Sequence, residues 1–168
     1  MIPVLIVICL LCALLTLVLL ALIDAKTHLL PNRYVGLFLI LGITFHFTSQ
    51  FHFTSATDCI NGVIAGAGLL LVVRAITNHI YNQDTLGLGD VKLMGVGGFW
   101  LGVDYILLAI ALGAFAGTLH CITYGLSLSY KTKTKVNLLT LKIPAGPGLI
   151  FGIISLGIFK FYTLSTYI

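Results

Sequence analysis

The chain contains no glutamate, and its five acidic residues are all aspartates. Charged residues of any kind make up 8% of its 168 positions. A soluble domain carries about a quarter charged residues, so this composition excludes that class. There is no basic face with aromatics on a soluble surface, which excludes nucleic acid as a partner. Cysteine is sparse, at Cys9, Cys12, Cys59 and Cys121. Cys9 and Cys12 form one C-x-x-C inside an apolar run, with no second pair. They read as small apolar helix residues, and neither a disulfide framework nor a zinc site is implied. A basic n-region is also missing, since Met1-Ile2-Pro3 is uncharged. The apolar run from Val4 to Ile23 is too long for a signal peptide and reads as a retained span.

What is present is hydrocarbon. Hydrophobic residues make up 59% of the chain, and the mean hydropathy is +1.11. Spanning a bilayer takes roughly 20 apolar residues per helix. The expected fold class is therefore all-α: a polytopic membrane protein with about six transmembrane helices. Residues 1–168 form one membrane-embedded domain in this reading. The spans fall near Pro3–Ile23, Tyr34–Phe47, Cys59–Ile76, Val91–Leu101, Tyr105–Leu126 and Ile143–Tyr162. The fourth is too short to cross about 30 Å of hydrocarbon at 1.5 Å per residue, so neighbours or loops must shield it. Gly62 and Gly66 are spaced for close helix approach. Pro31 cannot donate a backbone hydrogen bond, so a break is expected before it and a helix start near it.

Charge placement sets the orientation. With six alternating spans, Lys26, Arg33, Arg74, Lys92, Lys131, Lys133, Lys135 and Lys142 fall on one side, and only Lys160 falls toward the other. By the positive-inside rule that side is cytoplasmic. Asp24, Asp84 and Asp90 then sit at cytoplasmic span ends, and Asp58 and Asp104 at the outer face. The run from Lys131 to Lys135 reads as a solvated, topology-setting loop near anionic headgroups.

The five aspartates can be weighed singly. Asp58 and Asp104 read as solvated turn residues or helix caps. Asp84, in a polar loop, is either a solvated acid or a contributor to a nearby site. Asp24 and Asp90 each lie at the edge of an apolar run, where a carboxylate is costly to ionise without help. Each adjoins a structure-breaking device: Leu29-Leu30-Pro31-Asn32 after one, Gly87-Leu88-Gly89 before the other. Two carboxylates brought together share one proton. The ionised member can activate water and the protonated member can bond a peptide carbonyl, as an aspartyl protease requires. That chemistry needs no metal or cofactor. Such residues also serve as caps or ion-pair partners, which leaves both readings open at this point. His28, His46, His52, His79 and His120 are scattered and read as packing or interface residues. Lys92 reads as snorkelling toward headgroups.

Three elements resemble the type IV prepilin peptidases, a family of G-x-G-D membrane aspartyl peptidases. They are Asp24 with Leu29-Leu30-Pro31-Asn32, then Gly87-Leu88-Gly89-Asp90-Val91-Lys92-Leu93, then Ile143-Pro144-Ala145-Gly146-Pro147. They occur in the family's order across nearly the whole chain. The resemblance implies Asp24 and Asp90 as the catalytic pair. It implies Pro31, Asn32, Asp84, Gly87, Gly89, Lys92, Pro144, Gly146 and Pro147 as residues that bind substrate or shape the site. It further implies prepilin or pilin-like precursors as substrates, cut at the cytoplasmic face of a bacterial inner membrane. Longer members carry paired C-x-x-C motifs tied to N-methylation. This sequence shows none, so cleavage without methylation is expected. Ala145 replaces the family's usual aromatic and alters local substrate contacts. Two other classes fit less well. Another intramembrane protease of the G-x-G-D kind would show Tyr-Asp and Pro-Ala-Leu elements. A small transporter or assembly subunit would carry more polar residues within its spans.

Overall fold

The computed structural model describes residues 2–132 and 144–165. These residues form helices joined by short turns, with no strand among them. Helix α1 spans Ile2–Thr27, α2 Asn32–Thr48, α3 Ala56–Tyr81, α4 Leu88–Thr132 and α5 Gly146–Ser165. Pro31 stands at the N-cap of α2 with extended backbone, φ −66° and ψ 127°, as the sequence predicts. Ser55 caps α3 by accepting the Asp58 N–H at 3.2 Å.

Helix α4 has 45 residues. Straight, it would run about 68 Å, more than twice the hydrocarbon thickness of ~30 Å. It is instead broken at Gly102, where φ is 74° and ψ 179°. Only glycine takes that backbone conformation readily. The chain folds back there. Ile106 packs on Gly97, and Met94 and Ile106 both meet Gly66 of α3. Residues nine apart on one straight helix would be about 13 Å apart, so these contacts require two arms. The arms cover 88–101 and 103–132 and match the expected fourth and fifth spans.

Both sides of the break are capped by charged side chains. Asp58 Oδ1 accepts the Val103 N–H at 3.2 Å, an orphan donor at the start of the second arm. Lys160 Nζ donates to the Leu101 carbonyl at 2.8 Å, the last acceptor of the first arm. The anion sits at a helix N-terminus and the cation at a C-terminus, each where the helix dipole favours it. Lys160 also donates to Thr54 and lies 5.3 Å from the Tyr105 ring centroid. Asp58 is thus a cap, as expected, but it caps a neighbouring helix rather than its own.

Close approaches hold the bundle. Helix α3 crosses the first arm of α4 at Gly62 and Gly98, where a Cβ on either residue would overlap the other's backbone. An aromatic cluster of Phe38, Phe45, Trp100 and Phe161 fills the space between α2, α4 and α5. The Trp100 indole N–H donates to the Phe38 carbonyl at 3.0 Å. His46 is fully buried against this cluster, with Nε2 3.1 Å from the Phe99 carbonyl, and is a packing residue as expected.

The outward surface is apolar. Val4 and Leu15 of α1, Ile64 of α3, Phe115 of α4 and Ile158 of α5 are exposed side chains. Apolar exposure on this scale marks contact with lipid. Among the described residues, three helices are long and apolar enough to cross a membrane: Val4–Thr27, Ala56–Tyr81 and Leu88–Gly125. This is an all-helical membrane protein. The count of three differs from the six spans expected because the last of these stretches runs across the Gly102 break. In addition, α2 has only 17 residues, and Gly146–Tyr162 is a shorter apolar helix.

Candidate active site

The ends of α1 and the starts of α2, α4 and α5 meet at one end of the bundle. Asp24 lies in the last turn of α1 and is 5% exposed. The negative end of its own helix disfavours a carboxylate there. Its Oδ2 instead accepts the backbone N–H of Gly146 at 3.1 Å. Gly146 is the first residue of α5, so the positive end of that helix offsets the negative end of α1. A Cβ at position 146 would overlap the Asp24 carboxylate. Gly146→Ala is therefore expected to displace Asp24 and lower any activity that depends on it. A shift of about 1 Å in a reacting group can cost on the order of 10²-fold. Rates normalised to membrane-inserted protein measure the effect, and an unchanged rate would remove the role of this contact.

Asp90 is the third residue of α4 and is 8% exposed. Its carboxylate accepts the backbone N–H of Gly87, which precedes the helix. This is the reach-back half of a capping box and explains why an acid is tolerated at this point. The other oxygen, Oδ1, is buried and has no hydrogen-bond partner among the described residues. Leu30, six residues after Asp24, packs on Gly89, the neighbour of Asp90, so both buried carboxylates stand where the end of α1 and the starts of α2 and α4 converge despite their distance along the chain.

The motifs around the pair interlock. Leu30 packs on the backbone of Gly89. Lys92 Nζ donates to Asn32 Oδ1 at 3.1 Å. Lys92 was expected to snorkel to headgroups; it ties the start of α2 to the first turn of α4 instead. Pro144 and Pro147 line a cavity of about 530 Å³ together with Ala25, His28, His120 and Tyr124. The histidines at 28 and 120 had been read as scattered interface residues. The fold gathers them around this cavity, where the end of α1 comes beside the second arm of α4.

Asp84 pairs with Arg74 at 2.6 Å and accepts from Asn78 at 2.9 Å, with its side chain 78% exposed. Arg74 also donates to the Leu86 carbonyl. The acid thus braces the loop leading into Gly87 from α3, and its bonds run to α3 rather than to the two buried aspartates. Sequence reasoning missed Arg74 and Asn78. Their i, i+4 spacing before an acidic loop was the available signal. The Lys131–Lys135 run, Lys142 and Ile143 lie outside the residues whose side chains are described. Among the described residues no group of three or more His, Cys, Asp or Glu is placed to hold a metal ion.

The fold and site define a class: an all-helical membrane protein with two buried aspartates where its helix ends converge. Residues 4–122 match the type IV leader peptidase family, and the chain belongs to that family. It is 34% identical over 97 residues to the prepilin leader peptidase/N-methyltransferase of Escherichia coli strain K12, covering 56% of this chain and 42% of that protein. The protein of the same name from Neisseria gonorrhoeae is 27% identical over 100 residues, 60% of this chain and 34% of its own length. The leader peptidase HopD of Salmonella typhimurium LT2 is 31% identical over 132 residues, 78% of this chain and 79% of that one. The chain therefore spans well under half of the first two relatives and most of the third. No solved structure matches.

Proposed function

We propose that the protein is a membrane aspartyl endopeptidase that removes the leader peptide of type IV prepilin-like precursors without N-methylating the product. The observation that carries this is the burial of Asp24 and Asp90 at the end of the bundle where Leu30 packs on Gly89, Lys92 bonds Asn32 and Gly146 bonds Asp24. One carboxylate is ionised and the other protonated. The ionised member takes a proton from a water, and the resulting hydroxide adds to the scissile carbonyl carbon. The protonated member donates a hydrogen bond to the carbonyl oxygen as negative charge develops there. A proton then passes to the amide nitrogen, the C–N bond breaks, and the leader carboxylate and new amine separate.

Location fits the substrate. A pilin-like precursor has a short basic leader followed by an apolar helix, so its scissile bond lies where the chain enters the membrane. Asp24 and Asp90 sit where helix ends meet polar loops. In this reading that end faces the cytoplasm at a bacterial inner membrane crossed by six helical arms of one domain, and the excess of basic residues expected on that side supports it. In this reading Pro31, Asn32, Gly87, Gly89, Lys92, Pro144, Gly146 and Pro147 shape the cleft around the pair. Cys9 is buried and Cys12 half-buried among the apolar residues of α1.

Cleavage of a pilin-type precursor in membranes, with the cut mapped by mass spectrometry, tests the proposal. A cut between leader and apolar segment is expected. A cut inside the apolar segment would move the protein to another class of intramembrane protease, and an uncut precursor would overturn the assignment. Asp84→Asn is expected to slow cleavage by a few-fold at most, because the bond to Arg74 loses its charge and the loop before Gly87 loosens, a solvent-exposed ion pair being worth about 0.2–1 kcal/mol. Unchanged processing would remove Asp84 from the site.

A further inference from the structure

The second arm of α4 and α5 pack backbone to backbone where Gly113 meets Gly148 and Ala109 meets Gly152. These pairs make the two helices antiparallel, since the later residue of one lies against the earlier residue of the other. Beyond Gly113, toward the end of the bundle where α1 stops, the packing opens into the cavity of about 530 Å³. Ala25 and His28 bound it on one side, Ala116, Gly117, His120 and Tyr124 on another, and Pro147, Gly148 and Phe151 belong to the start of α5. A Cβ at Gly117 would meet nothing within 4 Å, so close packing does not demand glycine there.

The wall changes character with depth. At 1.5 Å per residue, His120 lies about 27 Å and Tyr124 about 33 Å along the second arm from the Gly102 break. The hydrocarbon is ~30 Å thick, so this pair stands where hydrocarbon gives way to headgroups. Ala116 and Gly117 are a turn nearer the break, and Phe151 lies more than a turn into α5; these form the deeper, apolar wall. The polar rim is His28, His120 and Tyr124, with the His120 and Tyr124 rings stacked at 6.4 Å between centroids. An imidazole in either protonation state offers at least one N–H, and a phenol offers an O–H. Among the described residues no carboxylate or amide side chain lines the cavity. A phosphodiester carries acceptor oxygens and no donor, which suits this rim, and an acyl chain suits the wall beneath it. A peptide would bring backbone N–H donors as well, and the rim has no carboxylate or amide to receive them. The volume is that of an ordinary ligand site.

We propose that this cavity binds one membrane phospholipid, with its phosphodiester at His28, His120 and Tyr124 and an acyl chain against Ala116, Gly117 and Phe151. The site does not rest on the peptidase reading. Purified protein in mild detergent is mixed with phosphatidylglycerol that carries a photoreactive diazirine in its acyl chain. Retained lipid is counted by native mass spectrometry, and crosslinks are mapped by peptide mass spectrometry. One retained lipid per chain is expected, with crosslinks on the peptides that contain Gly117 and Phe151. Gly117→Leu takes up part of the cavity and should cut retention and these crosslinks several-fold, with little change in thermal midpoint. His120→Phe combined with Tyr124→Phe keeps both rings and removes their donors at exposed positions, so it should weaken retention several-fold in a folded protein. This second variant decides the matter if Gly117→Leu does not fold. Equal retention and equal crosslinking in wild type and the folded variants would overturn the proposal and leave only a general lipid shell. Binding of inorganic phosphate with no acyl crosslink at the cavity would overturn it in favour of a free-phosphate site. A wild type that retains no lipid, and crosslinks a pilin-type precursor at the cavity instead, would overturn it in favour of a peptide site.

Discussion

Asp24→Asn and Asp90→Asn are each expected to reduce precursor cleavage by about 10²–10⁴-fold, the scale of positioned general acid–base catalysis. Either amide ends the sharing of one proton. An asparagine at position 24 or 90 can neither gain nor lose the proton that the mechanism moves. The replacements are close in shape, so the bundle should persist. The Gly146 N–H can still donate to the amide oxygen at position 24, and the Gly87 N–H to that at position 90. The measurement is the rate of leader removal at equal amounts of membrane-inserted protein. The double variant should be little worse than either single one, because residues that act as a unit are not additive. Near-wild-type cleavage in either single variant would dismantle the pair.

Gly102→Ala carries the second large effect, on stability. Its φ of 74° is open to glycine at no cost, and holding another residue there costs about 1–3 kcal/mol. An added Cβ would also overlap the Asp58 carboxylate. If Asp58 moves away, the Val103 N–H loses its cap, a further loss of about 0.5–2 kcal/mol. Thermal unfolding in detergent should show a lower midpoint for Gly102→Ala, and a smaller drop for Asp58→Asn, which keeps an acceptor. A Gly102→Ala protein as stable as wild type would mean that the chain does not turn back at this residue. The site would suffer too, since both arms and α5 pack on one another from the break to the buried aspartates.

Much of the site was legible because its signals are local. An aspartate at the end of an apolar run is conspicuous in a chain with five acids. Pro31 announces a helix start, and Gly87-Leu88-Gly89 announces a turn before α4. The hydrophobic runs placed the helices within a few residues of where they lie. Other features were not legible because they depend on partners far along the chain. Lys92 looked like a snorkelling cation until the fold placed Asn32 beside it. Lys160 looked like the odd charge on the wrong side. It is the donor that satisfies the Leu101 carbonyl, left open by the Gly102 break. Gly102 itself gave no sign of a positive φ, because glycine is found equally in packed helices and in turns. Gly146 looked like part of a motif, and only its contact with Asp24 explains why no side chain fits there.

Composition and the long apolar runs decide that this chain lives in a bilayer and is helical, because too few charges remain to solvate it and an apolar run of about 20 residues satisfies its backbone in lipid as a helix. Composition also narrows the acids to a handful. Tertiary structure alone decides which of those acids meet. Helix contacts at Gly62 and Gly98, the reversal at Gly102 and the docking of α5 on Asp24 are set by close packing between distant segments, and packing of that kind leaves no local pattern to read.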